Sequence, residues 1–165
     1  MGKTYVRVDD RLVHGQTIVA WAPTLGIQEI IGIDDVSARN PMLKSIMTMG
    51  VPKQYKAHIV TTQEARELLA KDDGLNRLVI VKVPHRLTEL KEEIRGCETI
   101  YLGNMAKRPD TTHQVTGATG IFFLSDQDVT ELSALAQEGF KVVFQQLPTA
   151  NATSWESFAT TLKGR

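Results

Sequence analysis

Cysteine is almost missing from this chain. Of its 165 residues only Cys97 is one, so no disulfide can close within it and no thiolate-built zinc site can form. A reducing compartment suits such a chain, and Cys97 itself reads as a small buried hydrophobe at the start of a strand. A charge surplus is missing too. Lys and Arg number 19, Asp and Glu also number 19, and the basic residues are scattered rather than striped. Nothing in that balance recruits nucleic acid or an anionic membrane. Long apolar runs are absent: "TIVAWA", "LVIV" and "GIFFL" are the longest, far from the roughly 20 residues that span a bilayer. The start, "MGKTYVRVDD", has no signal-peptide stretch, and Val6 stands where myristoylation favours Ser or Thr. A cytoplasmic chain is expected, reaching the inner membrane only peripherally, through partner proteins. Several motifs are also missing: a phosphate-cradling Walker loop, a G-x-G-x-x-G after the first strand, a G-x-S-x-G, and two histidines at metal-ligand spacing on a helix.

What is present is a rhythm. Short runs rich in Ile and Val read as strands at Thr4–Val8, Glu29–Ile33, Lys56–Val60, Arg77–Val83, Thr99–Leu102 and Phe140–Gln145. Amphipathic stretches alternate with them at Gln16–Thr24, Pro41–Met49, Thr62–Ala70, Leu87–Ile94 and Asp126–Glu138. Pro41 suits a first helical position, Gly139 a helix stop, and Thr62 the start of an imperfect capping box. Residues 114–124, "QVTGATGIFFL", break the rhythm and suggest an extra strand or hairpin. The polar tail ends in a short helical pattern around Trp155–Leu162. Residues 1–165 therefore read as one α/β domain: a three-layer, open, mostly parallel sheet with helices on both faces.

In such sheets ligands bind beyond the carboxyl ends of the strands. The stretch "VRVDDRLVHGQTIVAW", residues 6–21, lies there, directly after the first strand. His14 is a nucleophile candidate, since an imidazole near neutral pH keeps a lone pair on one nitrogen while the other needs an acceptor. Asp9, Asp10 or a backbone carbonyl can be that acceptor. Arg11 offers a planar guanidinium to phosphoryl oxygens. Gly15 permits close approach, and Gln16 and Thr17 lie near a helix start, where free N–H groups favour an anion. Asp10 beside Arg11 is placed to hold the guanidinium. Asp34, Asp35, Gly103 and Asn104 are expected at the same edge. His58 reads as a partly buried strand residue, His85 as a helix-start residue and His113 as a loop residue.

"RVDDRLVHGQ", "IIGIDDVSARNPMLKSIM" and the long stretch from "IYLGNMAKRPD" to "VVFQQLPT" resemble the IIB components of the mannose, fructose and sorbose family of sugar phosphotransferase systems (PTS). The resemblance covers most of the chain. It implies a mainly parallel sheet with one antiparallel strand and a phosphorylated histidine at His14. It also implies a phosphoryl-binding arginine at Arg11, oriented by Asp10 or Asp9. The donor would be a phosphohistidine on a IIA component, and the acceptor a sugar held by membrane IIC and IID components. Neither a metal nor a cofactor is called for, and a homo-oligomer is compatible. The sugar is not legible. Two other readings stay open. One is a receiver-like domain phosphorylated on Asp, with Asp9, Asp10, Asp34, Asp35 and Lys82 around Mg²⁺. The other is a regulatory phosphoprotein whose binding follows the state of His14.

Overall fold

A computed structural model describes residues 2–15, 17–116 and 121–163. The runs of β-branched residues become strands wherever both faces can be covered. The sequence places β1 at Thr4–Asp9, β2 at Glu29–Ile33, β3 at Lys56–Val60, β4 at Arg77–Val81 and β5 at Ile100–Asn104. A π-helical turn, Thr17–Trp21, runs into α1, Ala22–Thr24, between β1 and β2. After β2 come α2, Asp35–Ala38, and α3, Pro41–Met49; α4, Thr62–Ala70, and α5, His85–Glu89, follow β3 and β4. The second half adds β6 (Thr111–Thr116), β7 (Ile121–Ser125), α6 (Asp126–Gln137), β8 (Val142–Phe144), β9 (Thr153–Ser154) and α7 (Trp155–Lys163).

The main sheet has seven strands in the order β3-β2-β4-β1-β5-β8-β9. All neighbours are parallel except β9, which runs antiparallel to β8. Alternation sorts the side chains between two cores. Val6, Val8, Ile31, Val79, Val81 and Leu102 pack under α5, α6 and α7. Ile30, Leu78 and Ile80 face the other way, against Leu12, Val13, Ile18 and Trp21. That second layer also takes in Ala38 of α2 and Met47 of α3. The segment carrying His14 and the α2–α3 pair therefore cover the same face of the sheet.

Several elements differ from the sequence reading. The strand expected to reach Val83 ends at Val81. The helix expected over Leu87–Ile94 is α5 followed by turns as far as Gly96, whose φ of +93° closes the segment. Leu87, Leu90 and Ile94 are nonetheless buried, which is the source of the helix-like spacing. The box at α4 is complete and starts one residue earlier. The Thr61 hydroxyl accepts from the Glu64 amide at 3.1 Å, and the Glu64 carboxylate accepts from the Thr61 amide at 3.1 Å. His113 lies in β6 rather than a loop and meets Asp126 at 2.7 Å. The hairpin suggested by residues 114–124 is the β6–β7 pair, a separate two-stranded sheet; its tip, 117–120, lies outside the described residues. Phe122 and Trp155 belong to the core, and Cys97 is half-buried just before β5, where burial pushes its thiol up to about 11.

Candidate functional site

The site is built on the last turn of β1. Asp9 follows Arg7 on the same side of the strand, and both side chains are fully buried. Beyond Asp9 the chain reverses. Leu12 takes a φ of +56°, unusual for a side chain of that size and strained by about 1–2 kcal/mol. Its side chain is buried in the core, and its amide donates to the Asp9 carbonyl at 3.0 Å, so packing holds the strain. The reversal brings Arg11 and His14 back over Asp9.

Asp9 is the hub. Its Oδ1 accepts from the Arg11 amide at 3.0 Å and from Arg11 Nε at 3.2 Å; its Oδ2 accepts from Arg11 Nη2 at 3.3 Å. The same Oδ2 lies 2.8 Å from His14 Nε2 and 3.4 Å from Arg7 Nε. Burial alone would raise the Asp9 pKa, but hydrogen bonds from His14 and Arg11 outweigh it and hold the carboxyl below its ordinary value. An ionised carboxylate only accepts, so His14 carries its proton on Nε2, and in the neutral ring the lone pair sits on Nδ1. The His14 side chain is 17% exposed and that of Arg11 is 41% exposed. Both are reachable from solvent while Asp9 is not.

Arg7 is the support that sequence reading passed over. Its guanidinium donates to the Gln145 carbonyl at 3.2 Å and the Gln146 carbonyl at 3.0 Å. It lies 5.0 Å from the Trp21 ring centroid, and Trp21 Nε1 donates to Gln146 as well, at 2.9 Å. Burial lowers the Arg7 pKa to about 10, with Asp9 pulling the other way. Gly103 explains how the group fits. The β1–β5 register slips between Val8 and Asp9, and a Cβ on Gly103 would overlap the Arg7 guanidinium. A charged residue between Val6 and Val8 in a strand buried on both faces was the available signal, because such a charge needs a buried partner.

The remaining expected residues fall into distinct places. The Asp10 carboxylate accepts from Asn104 Nδ2 and from the Ala106 amide at 2.9 Å. It thus ties β1 to the loop after β5, and the carboxylate seen against the Arg11 side chain is that of Asp9. The Thr17 hydroxyl donates to the His14 carbonyl at 2.8 Å and accepts from the His14 amide at 3.2 Å, so it clamps the histidine backbone. Gly15 faces open space, with nothing within 4 Å of where a Cβ would lie. Gln16 lies outside the described residues. Asp34 caps α2 through Ser37 and approaches Lys82 at 3.4 Å, whereas Asp35 accepts from the Thr62 amide at 2.7 Å. These carboxylates tie down helix starts rather than converge on Asp9. Among the described residues no group of three or more His, Cys, Asp or Glu side chains is arranged to hold a metal ion. No helix there is long and apolar enough to cross a membrane.

A mostly parallel, three-layer sheet with a histidine, a carboxylate and guanidinia at the carboxyl end of a central strand defines an α/β protein with its polar cluster at the edge where such sheets bind ligands. The profile of the family described as "PTS system sorbose subfamily IIB component" matches residues 3–164, and the chain belongs to that family: it is a IIB component of a sugar phosphotransferase system. It is 24% identical to the "PTS system fructose-specific EIIB component" of Bacillus subtilis, over 90% of each chain. It is 25% identical to the "PTS system mannose-specific EIIAB component" of Escherichia coli, over 87% of this chain and 44% of that one. The fold matches the crystal structure of the IIB domain of the sorbose permease from Klebsiella pneumoniae with a TM-score of 0.84, at 21% identity over 98% of each chain.

Proposed function

We propose that this IIB component carries the phosphoryl group on Nδ1 of His14, taking it from a phosphohistidine of a IIA component and passing it to a sugar held by membrane IIC and IID components. The observation that carries the reading is the 2.8 Å contact between His14 Nε2 and buried Asp9. It presents Nδ1 as the nucleophile and stabilises the ring as it gains positive charge. In the first step the Nδ1 lone pair forms a new N–P bond while the donor's N–P bond breaks and its electron pair returns to the donor ring. In the second a sugar hydroxyl attacks phosphorus, the Nδ1–P bond breaks towards the His14 ring, and the hydroxyl proton passes to a base on the acceptor side.

Phosphoryl transfer depends on positioning and charge stabilisation. Arg11, held on Asp9 yet part-exposed, supplies the charge. Asp9 and Arg7 fix the geometry from below, Thr17 fixes the His14 backbone, and Asp10 fixes the neighbouring loop. The existence of a fused IIA–IIB protein among the relatives supports a IIA donor. A cytoplasmic chain that meets the membrane through IIC and IID follows from the same reading. The test is incubation with phosphorylated IIA and mapping of the modified residue under alkaline handling. Label on His14, stable in base and lost in acid, is expected. An acyl phosphate lost in base would favour the receiver-like reading instead.

A further inference from the structure

Resting on that reading, we infer that the outer face of α2 and α3 is the docking surface for the membrane-embedded acceptor, whose cytoplasmic side would present an apolar helix flanked by carboxylates. None of the nine residues of α3 is buried. Met42, Ile46 and Met49 recur at i, i+4 and i+7 and are 72%, 59% and 78% exposed. Val36 on α2 and Val19 on the π-helical turn are exposed as well. With Leu43 they account for six of the seven exposed large hydrophobic side chains among the described residues. A concentration of that kind marks a contact surface, whereas scattered ones need no explanation.

Charge selects the occupant. From Val36 to Gln63 the chain holds no Asp or Glu, while Arg39, Lys44, Lys53 and Lys56 are exposed cations. The run from Arg11 to Gln28 likewise has no acid. The acids of this layer, Asp34 and Asp35 at the start of α2, are taken up by Ser37, Lys82 and Thr62, so its remaining exposed charges are cations. The nearest acid on the α4 flank is Glu64, which is engaged in the Thr61 cap. A positive, apolar layer fits a partner at an anionic membrane surface better than one free in solution. Protein rather than lipid is favoured by the side chains. Three of the five methionines lie in α3, the exposed stripe holds no aromatic residue, and Lys44 is the helix's one cation. Methionine-rich faces adapt to protein helices, whereas interfacial membrane helices use Trp, Phe and Leu over a strongly basic face. The patch lies on the same sheet face as the His14 segment, but on a separate helix. An acceptor anchored there leaves the rim of His14 open for the donor to reload it.

The experiment uses M42S/I46S/M49S, whose changes lie on an exposed face, and R39E/K44E as an independent variant. Unchanged thermal unfolding and unchanged His14 loading by phosphorylated IIA establish that each variant is folded and chemically competent. With vesicles bearing IIC and IID, the KM for the phosphorylated chain is expected to rise at least tenfold in both variants at constant kcat. The charge variant should also lose its salt dependence. Co-sedimentation of the unphosphorylated chain should follow the same order with those vesicles and be absent from matched vesicles lacking them. An unchanged KM, an equal loss of donor loading, or equal binding to protein-free anionic vesicles overturns the inference. Failure of the wild-type chain to load at His14 would instead refute the phosphocarrier reading, and co-sedimentation would still decide the docking surface.

Discussion

At Asp9, one buried carboxylate receives an imidazole and two guanidinia, and the site's chemistry follows from that count. His14→Ala should keep the fold, with some loss of unfolding stability because buried Asp9 loses a hydrogen bond, yet take up no label from phosphorylated IIA, as read by mass spectrometry of the intact chain. Arg11→Ala removes a side chain that is 41% exposed, so the fold should hold. Its loading rate should fall by on the order of 10³-fold if the guanidinium stabilises the transferring oxygens, measured by rapid quench. Asp9→Asn acts on two levels. It frees the His14 tautomer, and it leaves the Arg7 charge buried without its carboxylate, which costs roughly 3–5 kcal/mol in denaturant unfolding. Much of this was legible beforehand. His14, Arg11 and the aspartates stand out as reactive types at a strand-to-helix turn. The division of labour between Asp9 and Asp10 was not legible, because both lie within reach of Arg11 along the chain. The left-handed turn at Leu12, a residue type that seldom adopts it, is what decides which carboxylate faces the cation.

Among the elements, the strands were readable because parallel strands buried on both faces are continuous apolar runs. Boundaries failed where turns imitate helices, as after α5, or where an alternating polar strand imitates a loop, as at β6. Arg7 was missed for a related reason: its partners Gln145 and Gln146 lie beyond β8, more than a hundred residues away. Only the sheet order brings them under β1. The bulge at Gly103 is the element-scale condition for that arrangement. Gly103→Ala should destabilise the chain by roughly 1–3 kcal/mol and slow His14 loading, since the guanidinium must shift to admit a methyl group. Thr61→Ala, by contrast, opens the α4 capping box, whose two bonds join only Thr61 and Glu64. It should cost about 1 kcal/mol in thermal or denaturant unfolding and leave loading unchanged.

For the whole molecule, the proposed chemistry and the proposed contact fall on one face of the sheet. The His14 segment and the α2–α3 pair share a core layer, while the larger core lies on the opposite face. The pH dependence of unfolding belongs to this scale. Asp9 and Asp34 both titrate below their ordinary value in the folded chain: burial opposes this, and the hydrogen bonds of His14 and Arg11, or of Ser37, prevail. A depressed carboxylate contributes stability that is complete above the unfolded pKa of about 3.9 and is lost as pH falls through the folded value. The contribution of these two carboxylates should therefore be complete near neutrality and decline below about pH 4, and Asp9→Asn should flatten that decline in urea titrations at stepped pH. The covalent step on His14 is read by phosphorus-31 NMR of the freshly phosphorylated chain, held alkaline and compared with His14→Ala. A single phosphohistidine resonance assigned to Nδ1 of residue 14 is predicted. A phosphoryl group on Nε2, on a carboxylate, or still present in the His14→Ala chain would contradict it.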